Sequence, residues 1–212
     1  MTDLVVGIAG RAGSGKDTLA AEIRKQLARR GVQAACLAFA DPVKAVYKVL
    51  FDGDPYTEDR ELKERTIIPY SGGRTMRQLL RIIGTEWGRA LYPKIWLIHM
   101  VRRIRVLAKS RRAAIITDIR FPDEMLLGHQ LNAVLLDVVR FEPKAPSLMA
   151  RIWRRITFRS MHPSEAVKYR KMNEKLGVIT VRNEGSKQDL KREAARLVEE
   201  VILPKFRSLR GL

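Results

Sequence analysis

The residues whose types and spacing most clearly suggest chemistry form a glycine-rich loop near the N-terminus. Gly10 and Gly15 are followed by Lys16 in the pattern G-x-x-x-x-G-K, between an apolar run and a helix-like stretch. Glycines let the backbone wrap around phosphate oxygens, and the following helix N-terminus adds a partial positive charge. A lysine at this place reaches the β and γ phosphates. The pattern predicts a nucleotide site formed by Gly10, Gly13, Ser14, Gly15, Lys16, Asp17 and Thr18.

Asp17 departs from this pattern, because such loops usually carry there a Ser or Thr that ligates magnesium. Its carboxylate could hold magnesium through water or restrain a catalytic group. It could also simply cap the helix N-terminus. Thr18, the next residue, is the candidate hydroxyl on the metal side.

A second candidate site closes the predicted third strand, where the apolar run Ile115-Ile116 leads into Thr117-Asp118. P-loop proteins place the carboxylate that orients magnesium at such a strand end. An isolated Asp after a strand can also be a turn former or a cap. Because the glycine loop is present as well, we expect Asp118 to hold metal or substrate, with Arg120 in the same cleft.

Arginines on one helical stretch provide a candidate phosphate-binding face. Arg77, Arg81 and Thr85 follow each other at i, i+4 and i+8, with Arg74 and Arg89 at the ends. Arginine binds phosphate bidentately. If the protein is a P-loop kinase, an acceptor that is a nucleoside monophosphate needs cationic side chains to hold its phosphate, but no general base. The alternative is a solvated helix face whose apolar side lies in the core.

The elements that would position these residues alternate between strands and helices. Short, wholly apolar strands separated by helices indicate an α/β fold, with a parallel sheet of about five strands covered by helices on both faces. The predicted strands are 4–9, 34–39, 113–117, 134–139 and 178–181. The predicted helices are 16–29, 74–91, 93–109 and 187–201.

The chain is expected to form a single domain. We assign the core to residues 1–55, 91–145 and 177–212, an acceptor-binding helical region to about 56–90, and a basic helical lid to about 146–176. Seven Lys and Arg residues in the range 151–171, Arg155 among them, are set against a single acid. They are expected to close over the transferred group, and a solvated basic helix is the alternative.

Composition narrows the classes of protein. The chain has 212 residues and a net charge of +18, and residues 91–212 carry 26 Lys and Arg against 12 Asp and Glu. Such a field attracts nucleic acid or small phosphorylated metabolites. No apolar run approaches the roughly 20 residues of a membrane span, and no secretory leader is seen. The single Cys36 is expected to be a buried small hydrophobe in a reducing, cytoplasmic setting.

The chain resembles the phage-type deoxynucleoside monophosphate kinases, a P-loop kinase family, over nearly its whole length. The resemblance includes the glycine loop with its Asp, an arginine helix of the pattern R-x-x-L-Q-x-x-G-T-E-W-x-R, and a strand end of the pattern T-D-x-R-F-x-N-E. It also includes H-x-S-E and N-x-G-x-x-x-D-L blocks. These correspond here to 7–18, 75–89, 117–124, 162–165 and 183–190.

The resemblance implies an acceptor site formed by Arg77, Thr85, Glu86, Arg89, Asp118 and Arg120, with Lys44 touching the acceptor phosphate. It also implies that Asn183 and Gly185 lie near the donor adenine. Trp87 either packs or stacks on a base. Arg81 departs from the family, which commonly has Gln there, and an extra cation could change the preferred base.

The expected activity is therefore transfer of the γ-phosphoryl group of ATP, with Mg²⁺, to a deoxynucleoside 5′-monophosphate. One alternative is a nucleic-acid-binding P-loop ATPase, which the charge suggests but the absence of a recognisable nucleic-acid module disfavours. The other is a P-loop kinase of another small phosphorylated or hydroxyl acceptor, similar to dephospho-coenzyme A kinase. The resemblance points to a phage protein in the host cytoplasm, and a homodimer is left open.

Overall fold

The computed structural model describes residues 4–140 and 174–210. The chain divides into two compact units, residues 1–36 with 107–212 and residues 37–106. The predicted division into core, acceptor region and lid stays a prediction. Arg155 and residues 146–173 of the predicted lid lie outside the described residues.

A five-stranded sheet forms the centre of the first unit. Its strands are β1 (Val5–Gly10), β2 (Ala34–Leu37), β3 (Ala113–Ile119), β4 (Val134–Val139) and β5 (Ile179–Arg182), in the order β2-β3-β1-β4-β5. β1 pairs in parallel with β3 and β4, and β4 pairs in parallel with β5. From β1 the chain runs to β2 and β3 on one side of β1, and it then crosses to β4 and β5 on the other side. In such sheets, ligands bind beyond the carboxyl ends of the strands near this reversal.

Helices cover both faces of the sheet, as the apolar strands predict. On one face, Val6 and Ile8 of β1 join a core with Leu19 and Ile23 of α1 (Lys16–Ala28) and with the helix α8 (Lys187–Leu197). α7 (Pro122–Gln130) packs on the other face, so closely that a Cβ on its Gly128 would lie 2.7 Å from a methyl group of Leu135. The π-helical segment Val198–Ile202 and α9 (Leu203–Arg210) complete this unit within the described residues.

The second unit is helical in its described elements. They are α2 (Ala40–Leu50), α3 (Arg60–Glu64), α4 (Met76–Arg81), the π-helical segment Ile82–Trp87, α5 (Gly88–Leu91) and α6 (Ile95–Lys109), whose last turn extends into the first unit. Thr75 begins α4, because its hydroxyl accepts from the N–H of Gln78 while the Gln78 side chain accepts from the N–H of Thr75. This is a reciprocal capping box.

Two sequence expectations need correction. The helix predicted over 74–91 is interrupted by the π-helical segment, whose wider turn ends the i, i+4, i+8 register at Thr85. Cys36 is exposed and not buried, because β2 is an edge strand of the sheet. α2, α7 and α9 have no counterpart among the helices predicted from the sequence. Across residues 4–140 and 174–210, no helix is long and apolar enough to cross a membrane.

Candidate phosphate-binding site

The glycine loop joins the carboxyl end of β1 to the start of α1, where three glycines make its path possible. Gly10, Gly13 and Gly15 have φ angles of +151°, +78° and +94°. Residues other than glycine rarely adopt such positive φ angles. A Cβ on Gly10 would also lie 2.6 Å from the Ser14 hydroxyl. A Cβ on Gly15 would be crowded in the same way by Asn183. Gly10 and Gly15 therefore combine a positive φ angle with a close neighbour.

Ser14 places a buried hydroxyl inside this loop. The residue is only 2% exposed, and its Oγ has no hydrogen-bond partner in the part of the chain that the structure describes. A buried hydroxyl without a partner is costly. The loop thus contains a polar group that a phosphate oxygen could satisfy, and this fits the predicted nucleotide.

Lys16 and Asp17 form an ion pair at the first turn of α1. The Lys16 ammonium lies 2.7 Å from the Asp17 carboxylate, and the side chains are 11% and 75% exposed. Asp17 does not cap the helix, because Gly15 is the N-cap residue and no side chain caps it. The carboxylate instead provides a counter-charge for the lysine and an acidic group where the helix dipole favours one.

Asp118 lies at the same end of the sheet as the loop. It is the penultimate residue of β3 and only 8% exposed, and its neighbour Ile119 pairs with Ala9, the residue before Gly10. Parallel register therefore brings the carboxylate-bearing strand end beside the strand end that opens the glycine loop. This is the edge at which the sequence predicts metal or substrate binding. Thr18, the other predicted metal ligand, is half-buried in the first turn of α1.

Arg120 follows β3 and is held through its backbone. Its N–H donates to the Glu124 carboxylate at 2.7 Å, and the N–H of Phe121 donates to the same oxygen at 3.1 Å. Glu124 is only 3% exposed and is the third residue of α7. Glu124 belongs to the block 117–124, and the sequence predicts no role for it. The sequence did contain a signal for this helix start, namely Pro at the first helical position and Glu at the third.

The end of β5 also contacts the glycine loop. The side-chain amide of Asn183 donates to the Ser14 carbonyl at 2.7 Å, and the Arg140 guanidinium donates to the Gly13 carbonyl at 3.4 Å. Gly185 leaves room for Asp189, which accepts from the N–H and hydroxyl of Ser186 where α8 begins. The adenine contacts that the resemblance implies for Asn183 and Gly185 stay predictions.

The candidate acceptor residues of the second unit carry acidic or aromatic neighbours. Arg77 lies 3.2 Å from Glu64, and Arg81 lies 3.4 Å from Glu86. Both arginines are about half exposed, so water and anions can reach them. The Lys44 ammonium lies 4.5 Å from the centre of the Tyr56 ring. The remaining candidates within this unit are Arg74, Thr85, Trp87 and Arg89.

Trp96 was not among the predicted site residues, yet it holds the π-helical segment. Its indole N–H donates to the Gly84 carbonyl at 2.6 Å, and Gly88 leaves the space that the ring occupies. π-Helical turns are frequent at functional sites. The segment that carries Thr85, Glu86 and Trp87 is therefore fixed by a buried tryptophan of α6.

The sheet, the glycine loop and the buried lysine at the start of α1 define a P-loop protein of the α/β class. No protein-family model matches the chain. The chain is 32% identical over 125 residues to the deoxynucleoside-5′-monophosphate kinase of Escherichia phage T5. That match covers 53% of this chain and 45% of the relative, so the chain spans less than half of that curated relative. The predicted resemblance to the phage-type kinases is confirmed by this similarity.

Solved structures with a related shape include a dephospho-CoA kinase from Campylobacter jejuni, with a TM-score of 0.45 and 16% identity over 95% of this chain and 98% of that one. Another is the Mycobacterium tuberculosis APS kinase in complex with AMPPNP and APS, with a TM-score of 0.44 and 11% identity over 94% of this chain and 99% of that one.

Proposed function

We propose that the chain is a P-loop kinase that transfers the γ-phosphoryl group of ATP to a deoxynucleoside 5′-monophosphate. The observation that carries the proposal is the glycine loop. Lys16 is buried at the start of the helix, and the Ser14 hydroxyl has no hydrogen-bond partner among the described residues. The acceptor class is supported by the similarity to the phage T5 kinase and by the arginine helix. A phage protein acting in the host cytoplasm belongs to the same proposal.

Residues of the first unit are assigned to the donor. Lys16 binds the β and γ phosphates and exchanges its Asp17 partner for them. N–H groups at the start of α1 lack intrahelical partners and donate to phosphate oxygens. Thr18 and Asp118 offer a hydroxyl and a carboxylate, oxygen ligands of the type that Mg²⁺ prefers. Magnesium bound there would neutralise charge on the phosphates.

The donor set fits magnesium only if phosphates complete it. Within the described residues, no group of three or more His, Cys, Asp or Glu is placed to hold a metal ion. Mg²⁺ in kinase sites is commonly bound through one or two carboxylates together with substrate phosphates and water. The sparse protein ligands are consistent with that arrangement.

The acceptor is assigned to arginines. Its phosphate is assigned to Arg77, Arg81, Arg89 and Arg120, whose guanidinium groups can act as bidentate donors. A phosphate oxygen of the acceptor attacks the γ-phosphorus, a new P–O bond forms, and the bond to the β,γ-bridging oxygen breaks as ADP leaves. The acceptor is already largely dianionic near pH 7, so no general base has to remove a proton.

Release of ADP tests the proposal when Mg-ATP is offered with each deoxynucleoside monophosphate, its ribose counterpart, dephospho-coenzyme A or duplex DNA. Turnover with at least one deoxynucleoside monophosphate, lost in Lys16→Ala, is the expected result. Turnover with dephospho-coenzyme A alone would assign another acceptor. Turnover only with DNA, falling steeply with salt, would assign the charge of +18 to nucleic-acid binding.

A further inference from the structure

Two consecutive carbonyl groups of the glycine loop are held by side chains from the ends of β4 and β5. Asn183 donates to the Ser14 carbonyl at 2.7 Å, and Arg140 donates to the Gly13 carbonyl at 3.4 Å. Asn183 is itself anchored to the sheet, because its backbone N–H donates to the Val139 carbonyl at 2.9 Å. The shorter contact therefore ties the loop to a fixed point of the core.

The Asn183 contact decides which way the next backbone N–H points. In a trans peptide, the carbonyl of one residue and the N–H of the next point in opposite directions. A Ser14 carbonyl turned toward Asn183 therefore turns the Gly15 N–H away from Asn183. Gly15 is the N-cap residue of α1, where N–H groups lack intrahelical partners.

The same contact accounts for the glycine at position 15. A Cβ there would lie 2.4 Å from the side-chain nitrogen of Asn183, well inside contact distance, and the φ angle of Gly15 is +94°. Both the left-handed backbone and the approach of Asn183 exclude a larger residue. Gly15 and Asn183 thus form one structural unit although they are distant in the sequence.

We propose that Asn183 is a positioning residue that sets the glycine loop in its anion-binding conformation before the nucleotide arrives. It acts through the Ser14 carbonyl and need not touch the nucleotide. Preorganised donors avoid the cost of ordering the loop on binding. The inference rests on the proposed function in one respect, namely that this loop binds the phosphates of ATP.

Equilibrium binding of ATP to the full chain tests this role without an acceptor. Asn183→Ala removes one part-buried hydrogen bond and its ordering effect on the loop, which predicts about tenfold weaker ATP binding. Asn183→Asp keeps the shape but places a carboxylate oxygen against the carbonyl, so its binding is expected to be weaker still. Glu184→Gln, a change at the exposed neighbouring residue, should bind ATP like the wild type.

Two readouts separate positioning from a general loss of structure. In steady state, Asn183→Ala should raise KM for ATP while kcat and the KM for the acceptor change less than twofold. The binding ratio of Asn183→Asp to Asn183→Ala should rise as the pH falls, because a protonated carboxyl can again donate to the Ser14 carbonyl. If Asn183→Ala does not fold, the binding ratio of Asn183→Asp to the wild type is measured instead and should rise in the same way as the pH falls.

ATP binding within twofold of wild type in both variants would overturn the positioning role, as would an Asn183→Asp affinity without this pH dependence. A wild-type chain that binds ATP but phosphorylates no nucleoside monophosphate would overturn the proposed function alone, because the binding comparison would still be valid. A wild-type chain that does not bind ATP would overturn both.

Discussion

The ammonium of Lys16 and the carboxylate of Asp17 lie 2.7 Å apart at the first turn of α1, so the lysine that should meet the phosphates already has an anionic partner. Asp17 is largely exposed, and exposed ion pairs contribute little to stability. The pair therefore holds the lysine in place at small cost and can be exchanged for a phosphate.

Replacing Asp17 with Asn should strengthen ATP binding. Without the counter-charge, Lys16 need not give up a partner worth up to about 1 kcal/mol, so KM for ATP should fall by about two- to fivefold. Titration of turnover with ATP measures this. Glu22→Gln, which removes one negative charge elsewhere on α1, is the matched control. An increase in KM that excess magnesium corrects would instead assign Asp17 to the metal.

Replacing Glu124 with Ala should affect both stability and acceptor binding. Two N–H groups, those of Arg120 and Phe121, lose a nearly buried acceptor, at a cost of about 1–3 kcal/mol in the free energy of unfolding. Arg120 also loses its fixed backbone, so KM for the acceptor should rise while KM for ATP stays the same. Denaturant titration and steady-state kinetics measure the two effects. Glu124→Gln keeps an acceptor oxygen and should recover most of both, and failure to do so would refute this role.

Replacing Trp96 with Phe should loosen the π-helical segment. The substitution keeps an aromatic ring but removes the donor to the Gly84 carbonyl, which costs about 1–2 kcal/mol and lowers Tm by about 3–6 °C. Because that segment carries Thr85 and Glu86, KM for the acceptor should rise as well. Trp87→Phe, at a half-exposed position, should leave Tm unchanged. Equal Tm values for the two variants would contradict the assignment.

His99 should make the stability of the folded chain depend on pH. Burial lowers its pKa, Arg103 and Arg102 lower the pKa further, and Asp41 partly opposes them. The folded state therefore disfavours the protonated imidazole. The stabilisation is present above the ordinary histidine pKa of about 6.5 and is lost as the pH falls toward the lower folded pKa.

Melting curves from about pH 8 to about pH 5 check this sign. The Tm of the wild type should fall more steeply on the acid side than that of His99→Gln, which cannot be protonated. Arg103 also donates to Asp41 at 2.5 Å, and the Arg103–Asp41 pair is kept in both proteins. Identical slopes for the two proteins would show that His99 does not contribute.

The sequence predicted the central sheet well, because a strand covered on both faces must be continuously apolar. Observed strands such as Val134–Val139 match the predicted ranges to within two residues at each end. One exception has a physical cause. Cys36 is exposed since β2 lies at the edge of the sheet, and edge position depends on strand order, which local composition does not encode.

The π-helical segment has no sequence signature that separates it from the α-helix predicted over 74–91, because Trp96 and Gly84 fix it through a tertiary contact. The glycine loop itself could be predicted from the sequence, because its pattern is local. Its support by Asn183 could not, because 169 positions separate Asn183 from Ser14 and only the fold brings them together.

The most direct test of the central claim is to follow the label from γ-labelled ATP in the presence of each of the four deoxynucleoside monophosphates. Our account predicts that the label is recovered in a deoxynucleoside diphosphate, together with unlabelled ADP, and that Lys16→Ala abolishes this transfer. Label recovered only as inorganic phosphate, or on a hydroxyl group of another acceptor, would contradict the assignment of this chain as a deoxynucleoside monophosphate kinase.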